Sequence, residues 1–268
     1  MTDPFAEPAI LAVAGDWHGA AEPAVAAIAH ARAQGATTIV HVGDFGDVYD
    51  PAYLAAVDAA LADPTDGREP AWLLFVDGNH EDFDLLDRLP ADERGLGRVG
   101  ERIRHLPRGA RWTWAGRTWV ACGGATSVNR LDLVPGETWW PQEAIGDADI
   151  ARVRAGGPGD VLVCHDSPAG ADTPCDWAGR FPDAEVQLAA EHRHRVRAVF
   201  DAVRPAHVFH GHFHRRYETV LAGARIHGLD RDGAPLDDNV LVLAPASLFP
   251  DDPVPPPPIV RLPQKENQ

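Results

Sequence analysis

Five short clusters of metal-ligating residue types recur along the chain. They are Asp16-Trp17-His18-Gly19, Gly43-Asp44 with Asp47 three residues on, Gly78-Asn79-His80-Glu81, His165-Asp166, and Gly211-His212-Phe213-His214. Carboxylate oxygens and imidazoles suit hard and borderline divalent ions, and one shared carboxylate can bridge two of them. A single cluster of this kind arises easily by chance. Five in series point to a binuclear metal centre.

Something must gather residues spread over about two hundred positions, and the flanking sequence supplies it. Apolar runs at 10–14, 37–42, 72–76, 161–164 and 206–209 each stop just before a cluster and read as buried strands. The segments 22–34 and 51–61 read as helices, the second with Pro51 in its first turn. Strand, helix, strand, helix, strand implies parallel pairing. The Trp- and Gly-rich stretch 102–120 predicts antiparallel strands with a hairpin near Ala115-Gly116, and 118–122 a further strand. A helix is expected over 185–203, with Ala189, Val196, Val199 and Val203 on one apolar stripe. Strands at 224–227 and 240–243 close the pattern. In open α/β sheets, sites form beyond the carboxyl ends of strands.

The 268 residues are 45% hydrophobic, enough for a sizeable core, and carry 40 acidic against 24 basic side chains, a net charge of -16. Such a surface repels phosphate backbones, so no stable nucleic-acid binding is expected. Cys122, Cys164 and Cys175 are odd in number and lack zinc-type spacing, which predicts a reduced, cytoplasmic setting. The start, Met1-Thr2-Asp3-Pro4, has no basic region typical of a signal peptide, and no run approaches the roughly 18 apolar residues of a membrane span. One domain is expected over 1–249, followed by a Pro-rich, disordered tail over 250–268.

The clusters, in this order, resemble those of the calcineurin-like metallophosphoesterase superfamily, over roughly residues 10–245. The resemblance implies a four-layer α/β/β/α sandwich of mixed sheets. It implies one metal held by Asp16, His18, Asp44 and His214, and another by Asp44, Asn79, His165 and His212, with Asp44 bridging. Asn79 also faces substrate in this reading. Mn2+ is the expected ion, with Fe or Zn also compatible with the ligand set. His80 resembles the family's catalytic histidine, which protonates the leaving alkoxide. Asp47 resembles the aspartate that orients that histidine in phosphoprotein phosphatases, with a turn or N-cap role as its competitor. Two metals about 3.5–4 Å apart would acidify a bridging water, and the hydroxide would attack phosphorus in line.

The sequence also departs from those phosphatases. Where they continue with Arg-Gly after the aspartate, this chain has Val48-Tyr49, which speaks against protein phosphatase activity. Arg130 is the candidate substitute cation on phosphate, with a surface salt bridge as its alternative. The segment 136–143, holding Trp139 and Trp140, looks like a loop of bacterial metallophosphoesterases. Its tryptophans are read as a hydrophobic lock or a nucleobase platform.

Other polar residues are given ordinary roles. Glu81 is read as a helix cap and Asp166 as a loop hydrogen-bonding residue. His41 and His210 are read as strand packing. His30, His105, His192, His194, His207 and His227 have no partners at ligand spacing. Arg193, Arg195 and Arg197 are read as a solvated helix face, and Cys164 as inert core. The expected function is hydrolysis of a phosphate monoester or diester of a small molecule. The alternatives are a metal-binding scaffold on the same fold, or a nuclease. The residues set no oligomeric state.

Overall fold

The computed structural model describes residues 3–46, 50–65, 67–174 and 177–250. The first half of the chain runs β1 (Leu11–Ala14), α1 (Ala21–Ala33), β2 (Thr38–His41), α2 (Pro51–Leu61), β3 (Trp72–Phe75), α3 (Phe83–Leu86), β4 (Gly97–Arg98) and β5 (Ile103–His105). The second half runs β6 (Arg111–Trp114), β7 (Arg117–Cys122), α4 (Asp147–Ala155), β8 (Val161–Cys164), α5 (Asp183–Val203), β9 (His207–His210), β10 (Tyr217–Leu221), β11 (Ala224–Gly228), α6 (Leu236–Asn239) and β12 (Val240–Leu243).

These strands form two six-stranded mixed sheets, ordered β12-β1-β2-β3-β5-β4 and β10-β11-β9-β8-β7-β6. In the first, β1, β2, β3 and β5 are parallel, and β12 returns antiparallel along β1. In the second, β7, β8, β9 and β11 are parallel, flanked by antiparallel β6 and β10. The predicted hairpin joins β6 to β7, with Ala115 and Gly116 both at positive φ, as a tight two-residue turn requires.

Successive side chains of a strand face opposite ways, and both faces are used. Leu11 and Val13 point between the sheets, where they meet Trp112, Trp114, Trp119 and Phe209. Ala12 and Ala14 point outward to Ile28 and Ala31 of α1 and Val57 of α2. On the far side, Val120 and Leu162 pack under Val196, Val199 and Val203 of α5. Three apolar seams between helix, sheet, sheet and helix make the four-layer α/β/β/α sandwich.

The helix expected over 185–203 starts two residues earlier, at Asp183, and its stripe is buried as predicted. The short helix α3 follows Glu81, where a helix is expected, while α4, β4, β10 and α6 have no counterpart in the sequence reading. They are short or polar: α4 buries a single side chain, Val153, so no apolar period marks it. Residues 251–268, most of the expected tail, lie outside the described residues.

Candidate metal centre

The carboxyl ends of β1, β2, β3, β8, β9 and β11 meet along one edge of the seam between the sheets. The first sheet contributes Asp16 and His18 after β1, Asp44 after β2, and Asn79 and His80 after β3. The second contributes His165 after β8, and His212 and His214 after β9. Two groups of potential ligand atoms converge there, each with its atoms within 4.8 Å of one another: Asp16, His18, Asp44 and His214, and Asp44, His165 and His212. Asp44 belongs to both.

The backbone is forced into uncommon geometry to do this. His18, Asp44, His212 and His214 have φ of 48°, 54°, 67° and 51°, the left-handed region that non-glycine residues rarely occupy. Such conformations persist where the surroundings over-determine them, commonly at functional sites. The glycines before the ligands act mainly through missing volume rather than by easing turns. Among Gly15, Gly43, Gly78 and Gly211, positive φ occurs at Gly43. A Cβ on Gly211 would lie 1.9 Å from Asp16 Oδ1, and one on Gly78 would lie 2.1 Å from Asp44 Oδ1.

Hydrogen bonds aim each side chain. Asp44 Oδ1 accepts from the backbone N–H of Asn79 at 2.8 Å and of His80 at 3.0 Å, leaving Oδ2 toward His165 Nε2 at 3.2 Å and His18 Nε2 at 3.6 Å. The backbone N–H of His212 donates to Asp16, whose Oδ2 lies 3.2 Å from His214 Nε2. His165 Nδ1 donates to the Val42 carbonyl at 2.8 Å, which presents Nε2 to the site. Asn79 donates from Nδ2 to Ser127 Oγ at 3.1 Å, so its Oδ1 faces His165 Nε2 at 3.3 Å. His80 lies beside this group, its ring edge-on to His18 with centroids 5.8 Å apart.

The electrostatics favour cations. Asp16 and Asp44 are buried, yet both carboxyls are held below their usual range. Burial opposes this, but His214 and His165 overcome it at Asp16, and His165 and His80 at Asp44. Burial also opposes charge on His18 and His165, but the Asp44 carboxylate raises both to about 10. Proton and metal compete for such nitrogens. Burial pushes His212 down to about 3, and its Nε2 is a buried nitrogen with no hydrogen-bond partner. A buried imidazole with an orphaned ring nitrogen, grouped with Asp44 and His165, fits a metal ligand. The donor set of buried carboxylates, imidazoles and one amide oxygen suits divalent ions.

Some expectations change. Arg130 lies outside the site: Glu185 of α5 holds its Nη2 at 2.7 Å and its Nε at 2.9 Å, and it covers the Trp139 ring at 5.5 Å. Its guanidinium makes the salt bridge that stands as the alternative to a phosphate clamp. Glu81 caps no helix, since Asp82 caps α3. Glu81 is buried and instead accepts from the N–H of Phe45 and Gly78, tying the loops after β2 and β3. Arg193 is no solvated residue; it donates to the carbonyls of Ser167 and Ala171 and packs over Phe213. His192 has a buried partner in Asp166 at 2.8 Å. Trp140 is core, while Glu143 reaches back to Ser127. Asp47, Val48-Tyr49 and Cys175 lie outside the described residues.

Sequence reasoning missed Asp232, whose Oδ1 lies 2.6 Å from His18 Nδ1. It also missed the chain from Asn79 through Ser127 to Glu143. A signal for the first was present: Asp232 follows the end of β11, as the other site residues follow their strands.

Beside these residues opens a cavity of about 840 Å³, lined by Asp44, Asn79, His80, His212 and His214 at one end. Among the described residues, no helix is long and apolar enough to cross a membrane.

The fold has known counterparts. The chain is similar to TT1561 of Thermus thermophilus, with a TM-score of 0.50 and 12% identity over 88% of this chain and 99% of that one. It is similar to a dimetal phosphatase from Danio rerio, with a TM-score of 0.51 and 14% identity over 88% and 92%. No curated protein sequence matches it. The family model for calcineurin-like phosphoesterases matches residues 10–216, well over half of the chain, and the chain therefore belongs to that family.

Proposed function

We propose that this protein is a binuclear metal-dependent phosphoesterase that hydrolyses a phosphate monoester or diester of a small molecule. The observation that carries this reading is the pair of ligand groups sharing Asp44, with His80 lining the adjoining cavity. Asp16, His18, Asp44 and His214 would hold one ion; Asp44, Asn79, His165 and His212 would hold the other. When bound, two divalent ions, Mn2+ foremost, supply Lewis acidity for the phosphoryl oxygens and a water acidic enough to attack phosphorus.

The chain's own residues do the rest. His80, fixed through its backbone N–H to Asp44, lines the cavity beside the ligands. As the bond from phosphorus to the leaving oxygen breaks, His80 gives that oxygen its proton. Asp47 would orient His80. Positioning and charge stabilisation dominate phosphoryl transfer, so little further covalent chemistry is asked of the protein.

Hydrolysis of p-nitrophenyl phosphate and bis-p-nitrophenyl phosphate, after chelation and after Mn2+ re-addition, tests this. Metal-restored turnover is expected, and the ratio of the two rates assigns monoester or diester chemistry. His80→Ala should keep its metal content while turnover falls by orders of magnitude. Full activity in that variant would defeat the acid role. Two bound ions without turnover on either ester would favour the scaffold alternative, and cleavage of single-stranded DNA the nuclease.

A further inference from the structure

The cavity beside the candidate metal centre is larger than a phosphoryl group needs. At about 840 Å³ it lies in the range of sites that enclose a drug-sized ligand. Its walls beyond the ligands are of two kinds. Trp177 and Phe181 form an aromatic side. The Trp177 ring stands edge-on to the His212 imidazole, with centroids 5.2 Å apart, and 5.2 Å from Phe213. Phe213 is itself braced by Arg193. A flat group leaving the metal end of the cavity therefore meets an aromatic platform at once.

The second kind is cationic. Arg180, Arg215 and Arg231 come from three different loops, after β8, β9 and β11, and all three line the cavity with exposed side chains. Among the described residues, no carboxylate pairs with any of their guanidiniums. That is notable in a chain of net charge -16, where Arg108, Arg130, Arg195 and Arg197 are all held by carboxylates. The metal ligands already serve the reacting phosphoryl group. Unpaired arginines on the rim serve anionic groups carried further along the substrate, because guanidinium binds phosphate oxygens in a bidentate fork. Asp230 and Asp232 share the wall, but Asp232 is engaged by His18.

We propose that the substrate is a nucleotide bearing more than one phosphate group, its base stacked on Trp177 and its second phosphate held by the arginine rim. This rests on the phosphoesterase reading for turnover, but the binding surface is independent of it. Base stacking on an aromatic side chain is tolerant of base identity, so no single base is implied.

The experiment uses the full chain loaded with Mn2+. Phosphate release from adenosine diphosphate, adenosine monophosphate and glycerol 2-phosphate is compared. In each, water oxygen joins the terminal phosphorus as the anhydride oxygen of the first, or the ester oxygen of the others, leaves and takes a proton from His80. Calorimetry measures binding of adenosine diphosphate to His80→Ala. We expect kcat/KM to favour the diphosphate over glycerol phosphate at least tenfold, and saturable binding to the His80 variant. Trp177→Ala should cut that preference about tenfold. Arg215→Ala should erode the preference for diphosphate over monophosphate, and added salt should do the same. Equal kcat/KM for the three substrates, or an unchanged preference in both variants, overturns the proposal. Binding without turnover on any ester supports this site while counting against the phosphoesterase reading. Neither binding nor turnover of the diphosphate in a protein active on bis-p-nitrophenyl phosphate defeats the proposal alone.

Discussion

The Asp232 carboxylate lies 2.6 Å from His18 Nδ1, joining residues 214 positions apart in the chain. The contact fixes which imidazole nitrogen faces Asp44. Carboxylates behind ligating histidines orient the ring and raise its basicity, and their loss commonly costs about 10–100-fold in metal affinity. Asp232→Asn should weaken the first of two bound ions by that factor, measured by chelator competition. Unchanged affinity for both ions would show that His18 needs no support.

Asn79 depends on Ser127 in the same manner. Ser127 Oγ accepts from Asn79 Nδ2 and donates to Glu143 Oε2 at 2.7 Å, while its backbone N–H donates to Glu143 Oε1. An amide can present oxygen or nitrogen with nearly equal shape, and this chain selects oxygen toward the site. Ser127→Ala removes the selection. We expect about tenfold weaker retention of the second ion at limiting Mn2+, with the first retained. Loss of both ions together, or of neither, would contradict this division.

Gly211 offers a test of packing against Asp16. The added methyl of Gly211→Ala would fall 1.9 Å from Asp16 Oδ1, inside any permitted contact. The carboxylate must shift or the strand end must move, at a cost of about 1–3 kcal/mol. Denaturant melts should show that loss, together with reduced metal content. A variant as stable as the parent and fully metallated would mean that the loop adjusts freely.

Away from the centre, His207 Nδ1 and His227 Nε2 lie 3.2 Å apart, with Glu218 beyond His227. Burial lowers the His227 imidazole from 6.5 to about 4, and Glu218 only partly opposes this. The folded chain holds it neutral where the unfolded chain takes up a proton. The stability tied to it is therefore intact above pH 6.5 and is lost as pH falls toward 4. In urea melts across that window, His227→Gln should lose stability with acid more slowly than the parent. Parallel pH profiles would assign the acid sensitivity elsewhere.

Much of this was legible in the sequence because strand ends and ligands coincide. Runs such as 10–14 and 72–76 are short and wholly apolar, and the residues after them are polar types that a buried strand would not tolerate. The meeting of Asp16 with Asp44, and of His165 with His212, follows once the strands of each sheet are parallel, while joining the two pairs needs the sheets to face each other. What stayed hidden depends on partners chosen in three dimensions. Arg130 carries the same charge whether it meets phosphate or Glu185. Ser127 and Glu143 are ordinary residues until Asn79 lies between them and His165. Trp177 is one tryptophan among eight, and only its place against His212 singles it out.

The seam between the two sheets also sets an order of events in the life of the chain. Asp16, His18, Asp44 and Asn79 belong to the first sheet, while His165, His212 and His214 belong to the second. Neither half alone encloses an ion. An imidazole from the last third of the chain must find a carboxylate near its beginning, a contact of long sequence separation that forms late. Tight uptake of two ions would thus report that the two sheets have docked, and a chain stalled with one sheet formed would lack the ligands of the other.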